Sequence, residues 1–204
     1  PCSDGEIIVW DPALLEDLYI RFGPAGPATL LAHEWAHVAQ SRLGLWDIDP
    51  LVSEQQADCL SGAWLTWAEE SLPEIFDDPA VLDLAVVAAL DIRDAPGDSP
   101  DDPDAHGSGF DRVRALQDGV ELGVPECMRY PNVSLPITET PFRSQEEIDT
   151  GGNLEFEAAL QLDVADLNRF HDELAGVGPF TLADTEQSGD CVDDERSLVH
   201  LCDD

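Results

Sequence analysis

The segment "LLAHEWAHVAQ" (30–40) carries two histidines, His33 and His37, four residues apart. On a helix such residues lie on one face, about 40° apart, so both imidazoles can reach one zinc ion at roughly 2.0–2.1 Å. Glu34 follows the first histidine and can reach a zinc-bound water without ligating the metal. Shuffled sequences of this composition would show this His-Glu-x-x-His pattern in only about 1% of cases. The motif therefore predicts one bound Zn²⁺ and a general base beside it.

A catalytic zinc ion needs a third protein ligand and one open position. Glu54 and Asp58, in "SEQQAD" (53–58), are again four residues apart on a predicted helix. An antiparallel helix pair would bring Glu54 to the metal, and Asp58 could accept a hydrogen bond from the outer nitrogen of a ligand histidine. The alternative is a solvated acidic helix face. The stretch "HVAQSRLGL" offers no third histidine, which excludes the metzincin pattern.

The charge of the chain is strongly negative. Nine basic residues, all arginine, stand against 44 acidic ones, so the formal net charge is 9 − 44 = −35. Such a chain repels phosphate backbones, which disfavours nucleic acid as a partner. The charge is typical of a solvated acidic surface, as in proteins from salty habitats or high-GC genomes, and a surface that captures a basic partner is the alternative. No apolar stretch is long enough to predict a transmembrane segment.

The five cysteines indicate disulfide bonds rather than a zinc ribbon, because none forms a Cys-x-x-Cys pair. We expect Cys59 to pair with Cys127 and Cys191 with Cys202. The segment opens at "PCSDGE", without a start methionine or an apolar leader, so any targeting segment or lipoprotein anchor is expected outside it. Together these features predict an extracellular or cell-envelope protein.

Hydrophobic periodicity predicts a mainly α fold of the α+β type, with one short strand beside the metal helix. The strand is expected in "GEIIVWDP" (5–12) and a long loop in 93–109. Residues 130–144 contain three prolines and are expected to be irregular. The predicted helices span 12–23, 26–44, 51–70, 78–92, 110–123 and 153–176.

Several of these segments together resemble a bacterial family of neutral zinc metallopeptidases, within the gluzincin group that includes thermolysin. The resemblance rests on the opening "CSDGEIIVWD", on "AHEWAHVAQ", on "SEQQADCLSGAW" and on "HGSGFDRVRALQDGVELG". It covers residues 2 to about 130 and is strongest to exported actinobacterial members. It implies a zincin-like catalytic core in 1–130, with 131–204 as an extension that packs on the core. A short echo of the opening in 190–204 suggests the start of a second related unit, although chance explains so short a match equally well.

The block "HGSGFDRV" (106–113) has two interpretations. His106 could hydrogen-bond the oxyanion of a tetrahedral intermediate, as a histidine does in gluzincins. Alternatively, His106 and Ser108 cap the helix that follows. Arg112 and Ser108 are candidates for binding substrate. Arg112 and Arg114 could each bind a substrate carbonyl or carboxylate, and for Arg114 a structural ion pair is the favoured alternative.

The sequence therefore predicts a zinc metalloendopeptidase acting on peptides or proteins. His33, His37 and Glu54 would bind zinc, and Glu34 would take a proton from the attacking water and pass it to the leaving amine. Two alternatives remain open, a non-catalytic zinc-stabilised binding domain and an amidase acting on cell-wall peptides. Zinc binding by Cys59 would favour the first of these. The sequence does not predict an oligomeric state.

Overall fold

The computed structural model describes most of the chain. The described residues are 7–45, 47–73, 76, 80–99, 102, 105–138, 141–176, 179 and 181. They are mainly helical. The helices are α1 (Pro12–Phe22), α2 (Ala25–Arg42), α3 (Pro50–Ser71), α4 (Val81–Asp91), α5 (Gly109–Leu122), α6 (Val124–Cys127), α7 (Gln145–Thr150) and α8 (Phe156–Ala175), with a 3₁₀ turn at Tyr130–Asn132.

The strand expected in 5–12 is not present in its described part, because residues 7–11 are neither helix nor strand and α1 begins at Pro12. No strand occurs anywhere among the described residues, so the small sheet beside the metal helix is not confirmed. Ile7, Val9 and Trp10 are exposed. An extended segment needs a partner strand to satisfy its backbone groups, and alternating apolar residues alone do not supply one.

Short polar caps fix where the helices begin. The Asp11 carboxylate accepts a hydrogen bond from the Ala13 backbone N–H, and Asp49 accepts from Leu51 and Val52 at the start of α3. Each aspartate precedes a proline at the first helical position, where the missing N–H costs nothing. These caps fix the register of α3, and with it the positions of its acidic residues.

Helices α3 and α5 pack closely because glycine occupies their contact. A Cβ atom on Gly119 would collide with the Cys59 carbonyl oxygen, and one on Gly62 would collide with the Leu116 carbonyl oxygen. The Cys59–Cys127 disulfide joins α3 to α6 beside this contact and confirms the predicted pair. Cys191 and Cys202, the other predicted pair, lie outside the described residues, as does the echo in 190–204.

The contacts divide the chain into two compact units, Pro1–Gly152 and Asn153–Asp204. The first unit extends beyond the boundary at 130 that the sequence suggested. Tyr130 is 1% exposed in a cluster with Cys59 and Cys127, and the Thr138 backbone N–H donates to Asp111. The main core of the first unit is formed by Ala25, Leu65, Ala68, Phe76, Val81, Ala85, Ala89 and Leu116. Within the described residues, no helix is both long and apolar enough to cross a membrane.

Candidate metal centre

Helix α2 places the two histidines one turn apart on the same face. The Nε2 atoms of His33 and His37 are 3.1 Å apart, and the two rings meet edge to face. His33 is 3% exposed. The spacing in the sequence thus produces the pair of ring nitrogens that it predicted.

Helix α3 runs antiparallel to α2 and brings a carboxylate to this pair. The Ser61 hydroxyl donates to the Thr29 carbonyl oxygen at 3.0 Å, which fixes the register of the two helices. In that register Glu54 lies opposite the histidines. Its Oε2 is 3.1 Å from His33 Nε2, and its Oε1 is 3.2 Å from His37 Nε2.

The three side chains have the spacing of metal ligands. Zinc bonds of about 2.0–2.1 Å in a tetrahedron put neighbouring ligand atoms about 3.3–3.4 Å apart. The observed separations of 3.1–3.2 Å are close to this value. Among the described residues, His33, His37 and Glu54 are the group of three or more potential ligands whose atoms converge in this way.

Outer hydrogen bonds determine which ring nitrogens carry hydrogen. The Asp58 Oδ1 atom lies 2.8 Å from His33 Nδ1, and the Gln40 Oε1 atom lies 2.8 Å from His37 Nδ1. Gln40 Nε2 donates to the Ser53 carbonyl oxygen, so its amide oxygen faces the histidine. Both Nδ1 atoms therefore donate, and both Nε2 atoms of the neutral rings carry lone pairs.

Two lone pairs and a carboxylate thus converge on one point. Three acceptors so close together repel one another unless a proton or a metal cation lies between them. Nitrogen and oxygen donors of this kind suit zinc. The chemistry of the donor set, as well as its spacing, therefore fits a bound divalent metal.

The pKa shifts of His33 and Glu54 also indicate that positive charge is favoured at this point of the site. Burial lowers the pKa of His33, but the charge and hydrogen bond of Asp58, with help from Glu54, outweigh it and raise the pKa to about 9. Burial opposes ionisation of Glu54, yet its hydrogen bonds to His33 and His37 hold its pKa far below the usual range. In the metal-free protein a proton on His33 occupies the position where a cation would bind.

Asp58 and Gln40, which hydrogen-bond the two histidines, are themselves hydrogen-bonded to residues of other helices. Asp58 Oδ1 also accepts from Arg112 at 2.7 Å. On the other side, Gln40 donates to Gln56, whose amide donates to the Cys127 carbonyl oxygen at 3.0 Å. Gln40 and Gln56 lie in the segments that resemble the metallopeptidase family, but the sequence predicts neither of these two contacts. Their amide side chains give no signal of so distant a contact.

Cys59 forms a disulfide and offers no thiolate to the metal.

Glu34 is half-buried on α2, next to His33 in the chain and about 100° around the helix from it. Glu34 is not one of the three described residues whose ligand atoms converge.

The His106 block lies close to the start of α3. Ser108 caps α5 by accepting from the Asp111 backbone N–H. The Asp94 carboxylate accepts from the backbone N–H groups of His106 and Gly107, at 2.8 and 2.7 Å. The His106 ring is about half exposed, with Nδ1 3.7 Å from Asp94. Its role at the oxyanion stays a prediction, as do the substrate contacts of Ser108.

Arg112 is 1% exposed, which places it inside the fold. Arg114 lies 3.5 Å from Asp111 and donates to Gln55, so it forms the expected ion pair.

Compared with known proteins, the chain matches no family model, no curated protein and no solved structure. The function must therefore be argued from the geometry of the cluster and from the residues around it.

Proposed function

We propose that this chain is a zinc-dependent metalloendopeptidase. The observation that carries the proposal is the convergence of His33, His37 and Glu54 at 3.1–3.2 Å, with both outer ring nitrogens held as donors. A zinc ion bound there would polarise a substrate carbonyl and lower the pKa of a coordinated water towards about 7. The resemblance of the "HEWAH" and "EQQAD" segments to neutral zinc metallopeptidases supports the same activity.

Glu34 is the proposed general base. It follows the first ligand on α2 and flanks the cluster, so its carboxylate can accept a proton from the attacking water and return it to the leaving amine. Cys59 is held in its disulfide, and no other described His, Cys, Asp or Glu joins the three ligands. Three protein ligands with one open position are the usual composition of a catalytic zinc site.

The test is cleavage of a mixed, fluorescence-quenched peptide library by zinc-loaded protein at low and high salt. Glu34→Gln should keep its zinc and lose about 10²–10⁴-fold in kcat. Glu69→Gln, an identical change on the exposed face of α3, should cleave like the wild type. Glu54→Ala should lose the metal itself, measured by metal analysis after dialysis.

Each other result changes the proposal in a defined way. Full activity in Glu34→Gln would refute the base, and unchanged zinc in Glu54→Ala would move the third ligand elsewhere. A folded, zinc-bearing wild type that cleaves nothing would favour a zinc-stabilised binding domain. Cleavage of cell-wall peptides alone would favour an amidase.

We also propose that the protein works outside the cell or in its envelope. The Cys59–Cys127 disulfide supports this location, because such bonds persist in oxidising compartments. Non-reducing peptide mapping of the native secreted and cytosolic fractions would test it, with the linked peptide expected in the secreted fraction.

A further inference from the structure

Arg112 is buried in the fold, where the sequence suggested a residue that contacts substrate. Only 1% of it is exposed, and the Asp58 it contacts is 2% exposed. Its Nη2 donates to Asp58 Oδ1 at 2.7 Å, and its Nη1 donates to the Ile92 carbonyl oxygen at 3.1 Å. A peptide in a cleft could not reach this guanidinium without opening the contact between α3 and α5.

The loop before α5 covers the aliphatic part of Arg112. Gly107 has φ +99°, and a Cβ atom there would lie 3.3 Å from the Leu51 side chain and 3.9 Å from Arg112 Cγ. The loop is anchored by the Asp94 carboxylate, which accepts from two of its backbone N–H groups. The guanidinium is therefore fixed from both sides, by packing on its stem and by hydrogen bonds at its tip.

The carboxylate oxygen that receives Arg112 is the one that orients a metal ligand. Asp58 Oδ1 lies 2.7 Å from the guanidinium and 2.8 Å from His33 Nδ1, while Oδ2 has no hydrogen-bond partner among the described residues. Among the described carboxylates, Asp58 alone pairs with Arg112. Arg112 and His33 therefore hold the same atom from two directions, and rotation of Asp58 would break both contacts.

We propose that Arg112 is a positioning residue of the metal centre, which acts through Asp58 to hold His33 with its Nε2 lone pair directed at the metal. The inference rests on the metal site of the proposed function, but it does not require peptidase activity. Removing a residue that orients a metal ligand from outside typically weakens metal binding 10–100-fold. The change should appear in metal affinity and in the ligand geometry, with no effect on KM for a peptide.

Cobalt binding to the full chain provides the test, because Co²⁺ reports affinity and geometry through its visible absorption. Arg112→Met should raise the dissociation constant for Co²⁺ about 10–100-fold and change the absorption bands. Arg112→Lys keeps a charged donor to Asp58 and should restore the wild-type value to within about threefold. Arg129→Met, which removes an exposed arginine paired with Glu126, should leave affinity and spectrum unchanged.

The single change to methionine leaves Asp58 as an unpaired buried charge, which can prevent folding. The double variant Asp58→Leu with Arg112→Met removes both charges, and it should show at least the same loss of Co²⁺ affinity. Wild-type affinity and spectrum in whichever of these variants folds would overturn the proposal. So would a rise in KM with unchanged Co²⁺ affinity. Failure of the wild type to bind any divalent metal would instead refute the proposed function, and this inference with it.

Discussion

The Cys59–Cys127 disulfide should contribute a large share of the stability of the first unit. The two cysteines are 68 residues apart in the chain. In the chain-entropy model, the bond lowers the entropy of the unfolded chain by about 2.1 + 1.5R ln n cal/mol/K, where n is the 68 residues of the closed loop. At 25 °C this predicts a stabilisation of the folded protein by about 4 kcal/mol. A domain of this size should then lose roughly 10–15 °C of melting temperature when the bond is removed.

The change we would make is the double variant Cys59→Ala with Cys127→Ala. It is cleaner than chemical reduction, which would also break any disulfide formed by the remaining cysteines. All five tryptophans lie between residues 10 and 67, so their fluorescence reports the unfolding of the first unit alone. Urea is the suitable denaturant, because guanidinium chloride would screen the repulsion of a chain with net charge −35.

Both proteins would be measured without metal, since zinc stabilises whichever form binds it. We expect the free energy of unfolding to fall by about 4 kcal/mol in the variant, with a similar dependence on urea. A loss below about 1 kcal/mol would refute the reasoning, because it would mean that the α3–α6 contact forms as readily without the bond. The variant should also bind zinc more weakly. Gln56 donates to the Cys127 carbonyl oxygen and accepts from Gln40, so a change at Cys127 reaches the metal site through these two hydrogen bonds.

Three further predictions concern the charge on His33, the pH dependence of zinc affinity and the packing of Gly119. The pKa of His33 is about 9 in the folded protein and about 6.5 in the unfolded chain. Protonated His33 should therefore stabilise the metal-free protein by on the order of 3 kcal/mol below pH 6.5. This contribution to the free energy of unfolding should be lost as the pH rises to 9. Because zinc displaces the His33 proton, zinc affinity should rise about tenfold per pH unit between pH 6.5 and 9, measured against a competing chelator. An affinity that does not change over this range would contradict the prediction. Gly119→Ala should destabilise the fold by about 1–3 kcal/mol in urea unfolding, because its methyl group meets the Cys59 carbonyl oxygen, whereas alanine at the exposed Gln117 should be nearly neutral.

The parts of the structure that sequence predicted well are those set by local rules. Proline at the first turn of α1 and α3, each with an aspartate cap before it, fixes where these helices begin. The spacing of His33 and His37 places both on one face of α2. The position of Glu54 opposite the two histidines could be predicted because a short connection between two helices makes them antiparallel neighbours.

The parts that sequence missed depend on distant partners. The alternation in "GEIIVWDP" indicates a strand, but pairing requires a second strand, and none is present among the described residues. Arg112 was a candidate for binding substrate, because nothing in the pattern of α5 reveals how deeply one of its arginines is buried. Gln56 reaches Cys127, 71 residues further along the chain, and only the fold brings them together.

These distant contacts explain how a helical scaffold without a described sheet can bring His33, His37 and Glu54 together in the arrangement proposed to bind a metal. His33 and His37 belong to α2, but each is oriented by a residue tied to another element. Asp58 is held by Arg112 of α5, and Gln40 is tied through Gln56 to the chain beside the disulfide. Metal affinity and fold stability should therefore change together when either connection is broken.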